Sequence, residues 1–117
     1  MAQVTSHTLN GTDGSHADGI PVRLIHLPTA TVMLEQATAD GGRLSMDVDT
    51  SAYHRDDEYE LMFDTGVYWS TLHQPRQHVQ IMRKVVLRFF MPDNQARYHM
   101  PVIINPNSYS CWWSAPE

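Results

Sequence analysis

The chain has 117 residues, of which 42% are apolar, which suits one domain around one core and leaves no room for a second. Its formal net charge of −5, with no Lys/Arg block, points away from nucleic acid and anionic membranes, because phosphate binding needs a clustered basic face. One cysteine, Cys111, excludes an internal disulfide, and neither a secretory signal at the start nor a run of ~20 apolar residues is present, so a cytoplasmic protein without a membrane partner is expected.

Turn signals at Asn10-Gly11, Asp13-Gly14, Asp18-Gly19, Asp40-Gly41-Gly42, Pro92-Asp93-Asn94 and Asn105-Pro106-Asn107 cut the chain into strand-sized pieces. The expected strands run near 4–10, 21–28, 30–37, 43–48, 58–64, 80–91, 96–104 and 107–114. The alternation is clearest at residues 58–64, where Tyr59, Leu61 and Phe63 share one face and Glu58, Glu60 and Asp64 the other. Between 11 and 19 the chain is rich in Gly, Asp and Ser and reads as a mobile loop. The stretch from Asp64 to Leu72 breaks the period of two, and its Asp/Thr start can cap one or two helical turns before Pro75. Eight short strands predict an all-β, two-sheet sandwich with one short helix. The last two strands are apolar on both faces, so one face is expected on the core and the other against a partner subunit or a ligand.

Seven histidines make a high count for this length. His16, His54, His73 and His78 lie in polar or Pro-flanked segments and read as exposed, whereas His26, in an apolar strand, reads as a hydrogen-bonded core or edge residue. His73 and His78 are five apart across a proline, so they lack the three- or four-residue spacing of paired ligands on a helix, and no metal is expected. The basic cluster Arg83-Lys84 with Arg88 reads as the solvated side of a strand. His7 and His99 differ from the other histidines because each sits inside a strand that fixes its direction. Arg43 directly follows Gly41-Gly42, a turn that delivers a guanidinium to a strand start. Two imidazoles able to exchange protons near neutral pH, with an arginine able to hold an oxyanion, are the parts of an acid–base site.

Five pieces in order resemble the 5-hydroxyisourate hydrolases, the enzymatic relatives of transthyretin. They are Ser6-His7-Thr8-Leu9-Asn10, similar to the family's Thr-His-Val-Leu-Asp; Gly19-Ile20-Pro21-Val22; Thr38-Ala39-Asp40-Gly41-Gly42-Arg43; Phe63-Asp64-Thr65-Gly66-Val67-Tyr68; and Tyr98-His99-Met100-Pro101-Val102-Ile103-Ile104-Asn105-Pro106. The resemblance implies a transthyretin-like sandwich of two four-stranded sheets, a homotetramer built as a dimer of dimers, and sites in a channel between dimers. It also implies catalytic roles for His7, Arg43 and His99, with no cofactor.

The family's terminal Tyr-Arg-Gly-Ser is missing. The matching positions read Trp112-Trp113-Ser114-Ala115. Strand alternation predicts Ser110, Trp112 and Ser114 on one face and Cys111 and Trp113 on the other, and Ser110, Trp112, Trp113 and Ser114 are the candidate substrate contacts. Loss of an arginine and gain of indole surface favour a flatter, more apolar substrate. The expectation is therefore an acid–base enzyme for a small cyclic substrate, repurposed away from 5-hydroxyisourate within a biosynthetic pathway. The alternatives are a genuine 5-hydroxyisourate hydrolase of purine catabolism and a non-catalytic ligand-binding homologue.

Overall fold

A computed structural model of the protein describes residues 1–72 and 79–116. The expected exposure of His73 and His78 lies outside these residues. One sheet contains β1 (Ala2–Asn10), β4 (Arg43–Val48), β7 (Arg97–His99), β8 (Val102–Asn105) and β9 (Ser108–Cys111). The other has the order β3 (Thr31–Ala37), β2 (Pro21–His26), β5 (Glu58–Phe63), β6 (Val85–Phe90). Among the described residues one α-helix, α1 (Thr65–Thr71), follows β5.

The two sheets meet over alternating side chains. In β5, Tyr59, Leu61 and Phe63 are buried while the residues between them are half-exposed, as the period of two predicts. Val4 of β1, Leu24 of β2, and Val102 and Ile104 of β8 complete the same core. Each such fully buried side chain contributes roughly 1.5–3 kcal/mol. Surface ion pairs such as Arg23–Glu35 (3.3 Å) and Arg88–Glu60 (3.2 Å) contribute about 0–1 kcal/mol each, so the core dominates. His26 is buried as expected, with Nδ1 2.7 Å from Thr29 Oγ1 and Nε2 2.9 Å from the Asp57 carboxylate.

Four sequence expectations change. The strand expected at 96–104 is two segments, β7 and β8, which keep one continuous parallel register along β1, from Gln3 opposite Arg97 to Asn10 opposite Ile104. The break falls at Met100-Pro101. Pro101 has no N–H for the ladder, and the Ser6 hydroxyl donates to the Met100 carbonyl at 2.7 Å in its place. The strand expected from residue 80 starts only at Val85, because Asn107 holds residues 79–82 in an irregular strap. Its carboxamide oxygen accepts from Ile81 N at 2.7 Å, and its Nδ2 donates to the Val79 carbonyl at 3.2 Å.

At α1, Asp64 makes no side-chain cap; its carboxylate lies 3.6 Å from Lys84 Nζ. Segment 11–19, expected as a mobile loop, folds back on β1: Asn10 N donates to Ser15 O at 2.8 Å, and Ala17 N to Thr8 O at 2.9 Å. Asn10 Oδ1 and Asp13 Oδ1 accept from the backbone two residues on, the Asx turns that Gly-rich polar segments favour.

Candidate functional site

Along β1 the inward side chains are Ala2, Val4, Ser6, Thr8 and Asn10, all buried. The alternate set, Gln3, Thr5, His7 and Leu9, lies on the outer face of the sheet. His7 stands opposite Arg43 in the antiparallel β1–β4 pair, and Thr5 stands opposite His99 in the parallel β1–β7 pair. Two residues along one strand thus bring His7, Arg43 and His99, far apart in sequence, to one patch of one face.

Arg43 is aimed by its turn. Residues 40–42 form one 3₁₀ turn in which Gly41 (φ 79°) and Gly42 (φ 73°) adopt the left-handed region. A Cβ on Gly42 would stand 2.3 Å from the Thr8 carbonyl oxygen and 3.2 Å from Ala17 N, both backbone atoms that cannot turn aside. With the left-handed penalty of roughly 1–2 kcal/mol added to that clash, Gly42→Ala is expected to cost about 2–4 kcal/mol, read as a lower urea midpoint. An unchanged midpoint would show that this turn is not held as described.

His99 is tethered by Thr5, whose Oγ1 lies 2.8 Å from His99 Nδ1 and accepts from Arg97 Nε at 3.3 Å. The arrangement that satisfies every donor has Arg97 giving to the Thr5 oxygen and the hydroxyl hydrogen going to His99 Nδ1. Neutral His99 then carries its proton on Nε2. Burial, followed by the positive charge of Arg97, Arg43 and His7, lowers the His99 pKa from the usual 6.5. His7 is lowered for the same reasons, burial first and the Arg43 guanidinium second. Both imidazoles are therefore predominantly neutral at pH 7.

Reading the sequence alone missed one member of the patch. His16 is exposed, as expected, but its Nδ1 lies 2.9 Å from His7 Nε2 and 2.8 Å from the Gly41 carbonyl oxygen. The turn-forming Asn10 and Asp13 were the available signal that segment 11–19 folds back toward β1.

The four tail residues divide. Ser110 pairs with Ile103, which itself pairs with Leu9 on the same face as His7. Ser114 bridges to His99, its N donating to the His99 carbonyl at 2.8 Å, and Arg97, His99, Ser114, Ala115 and Pro116 line an open hollow of about 340 Å³. Continuous pairing ends at Cys111, and the next bridge, His99 to Ser114, keeps the same antiparallel register on either side of Trp112 and Trp113. They are exposed by 47% and 60% and line a separate hollow with β6, Met100 and Cys111. Among the described residues no cluster of three or more His, Cys, Asp or Glu could hold a metal ion. No helix among them is long and apolar enough to cross a membrane.

Comparison with known proteins bears on the family and the fold. Residues 4–113 match the model of the HIUase/Transthyretin family. The 5-hydroxyisourate hydrolase of Pseudomonas aeruginosa is 28% identical over 114 residues, covering 96% of this chain and 90% of that protein. The 5-hydroxyisourate hydrolase of Mesorhizobium japonicum is 30% identical over 112 residues, with 94% and 90% covered. Among solved structures, Klebsiella pneumoniae 5-hydroxyisourate hydrolase superposes with a TM-score of 0.78 at 19% identity, covering 98% of this chain and all of that one. The crystal structure of (S)-allantoin synthase superposes with a TM-score of 0.82 at 24% identity; the match covers 97% of this chain but 44% of the synthase. These superpositions establish the transthyretin-like sandwich, whose broken central strand counts as one of four in its sheet. With that fold and a family match running from β1 past the end of β9, this chain belongs to the HIUase/transthyretin family.

Proposed function

We propose that this protein is a cofactor-free hydrolase of small cyclic amides, with 5-hydroxyisourate as the first substrate to test and His7, Arg43 and His99 as catalytic residues. The observation that carries the reading is their convergence on the outer face of β1, with His7 opposite Arg43 and His99 held by Thr5. That its relatives are 5-hydroxyisourate hydrolases supports the substrate class.

Because both imidazoles are held neutral, each can act as a base and neither starts as an acid. His7 takes a proton from water as the water attacks the ring carbonyl. Arg43 holds the oxyanion that forms, and the proton collected by His7 passes to the leaving nitrogen as the C–N bond breaks. His99, with its Nε2–H free of Thr5, donates a hydrogen bond that orients the ring. A division in which one histidine is the base and the other the acid does not fit, since a neutral imidazole is too weak an acid for that role at pH 7.

The expected result is acceleration of 5-hydroxyisourate ring opening by several orders of magnitude, followed spectrophotometrically with fresh substrate. The lowered pKa values set the sign of the pH dependence. Below 6.5 the bases protonate, so kcat/KM falls with pH through an acid limb centred under 6.5 and is flat from there to pH 7.5. A limb centred above 6.5 would remove the neutral bases from the mechanism.

The second reading, a substrate other than 5-hydroxyisourate, is favoured by Trp112-Trp113 standing where the family has Tyr-Arg. On that reading, little turnover of 5-hydroxyisourate accompanies turnover of a flatter heterocycle at the same three residues. In either case the open hollow beside His99 is expected to be closed by other subunits in a dimer of dimers. Light scattering should then report the mass of four chains.

A further inference from the structure

Hydrolysis of a cyclic amide to a carboxylate has a proton balance that the three catalytic residues do not close. One water O–H bond and one ring C–N bond break, and one C–O and one N–H bond form. The new carboxylic acid then ionises, so each turnover releases one net proton. In the hydrolysis proposed above, on which this inference rests, that proton collects at His7, where the Arg43 guanidinium opposes it.

We infer that His16 is a positioning residue for His7 and the route by which this proton reaches bulk water. His7 Nε2 and His16 Nδ1 share one hydrogen bond of 2.9 Å, with ring centroids 4.8 Å apart and planes inclined by 47°. A single hydrogen between the two nitrogens can therefore belong to either ring. The Gly41 carbonyl oxygen, 2.8 Å from His16 Nδ1, accepts the shared hydrogen once it sits on His16, so the transfer strands no donor. The His7 Nε2–H bond breaks as the His16 Nδ1–H bond forms, the exposed His16 ring gives up its Nε2 proton to water, and the two neutral rings regain their starting tautomers by exchange with solvent before the next turnover.

The placement is built rather than fortuitous. His16 bridges Leu9, its neighbour Ala17 is wholly buried with its N bonded to the Thr8 carbonyl, and its neighbour Ser15 accepts from Asn10 N. Arg43 and His99 are the titratable groups that face His7 from the adjoining strands, and both add positive potential when charged. A step that moves the proton outward to His16 relieves that repulsion.

The test uses the full chain carrying His16→Ala or His16→Gln. In dilute buffer with 5-hydroxyisourate, either variant is expected to lose about tenfold in kcat with KM within twofold, and free imidazole should restore the rate of the alanine variant. A rate unchanged in dilute buffer, or a loss that imidazole does not restore, overturns the relay. A second measurement needs no substrate: in ¹⁵N-histidine spectra of the wild-type chain, a scalar coupling between His7 Nε2 and His16 Nδ1 should report their shared hydrogen bond, and His7 should change its tautomer balance in His16→Ala. Absence of both signals overturns the relay even if the enzyme is active. If the wild-type chain does not turn over 5-hydroxyisourate, that substrate assignment fails while the spectra still decide the relay.

Discussion

Replacing His99 with alanine is expected to lower kcat by about 10²–10³-fold, the usual range for loss of one oriented hydrogen-bond donor at the reacting group. The protein should remain folded. His99 is half-exposed on the outer face, and its side chain is hydrogen-bonded to Thr5 Oγ1, whose oxygen keeps Arg97 as a partner when the ring is removed. Loss of such a bond costs about 1 kcal/mol, against a total of about 5–15 kcal/mol for a domain, so thermal melting moves by only a few degrees. His99→Gln separates geometry from chemistry. Glutamine can accept from the Thr5 hydroxyl and still donate an N–H toward the substrate but cannot exchange a proton, so it should recover much of the rate that the alanine variant loses. Full turnover in the alanine variant would exclude the ring from the reaction.

Arg43→Ala is the second large effect, an expected loss of about 10²–10³-fold in kcat/KM, comparable to removing one oxyanion donor. It carries a signature that a general loss of structure would not. The Arg43 charge is the second-largest cause of the lowered His7 pKa and also acts on His99, so its removal should move the acid limb of the pH profile upward, toward 6.5. Burial, the largest cause, remains, so the limb should stop short of the ordinary value. Arg43→Lys keeps the charge and gives up the planar fork. It should therefore hold the pH profile nearly in place while recovering only part of the rate. An Arg43→Ala profile that does not move would mean the guanidinium acts on neither imidazole.

Much of the sandwich is legible in the chain because its strands obey a period of two imposed by burial on one side. Tyr59, Leu61 and Phe63 are the plainest instance, and their neighbours Glu58 and Glu60 stay at the surface. Where the expectation failed, a competing local interaction won. Pro101 removes a ladder donor and interrupts an otherwise continuous strand. Asn107, distant in sequence, supplies hydrogen bonds that make a regular strand at 80–84 unnecessary. Lys84 draws the Asp64 carboxylate away from the helix it was expected to cap. Asn107 and Lys84 each lie outside the segment whose structure they decide.

By itself, the sequence determined which side chains would be imidazole or guanidinium, that His7 and His99 would sit in strands, and that a glycine turn would precede Arg43. The ordered motifs were enough to point to the family. Only the tertiary structure decided which of these groups meet. Thr5 and His99, 94 positions apart, touch because β1 and β7 lie side by side in parallel register. His16 joins His7 because a loop of turn-forming residues folds back on its own strand. The tail borders two hollows, one beside His99 and one beside β6, because it runs on past β9 to bridge His99 at Ser114. Periodicity reports the face a residue occupies, since burial acts on each residue locally. Register and loop closure determine its neighbours, and these depend on backbone hydrogen bonds between segments that no local pattern encodes.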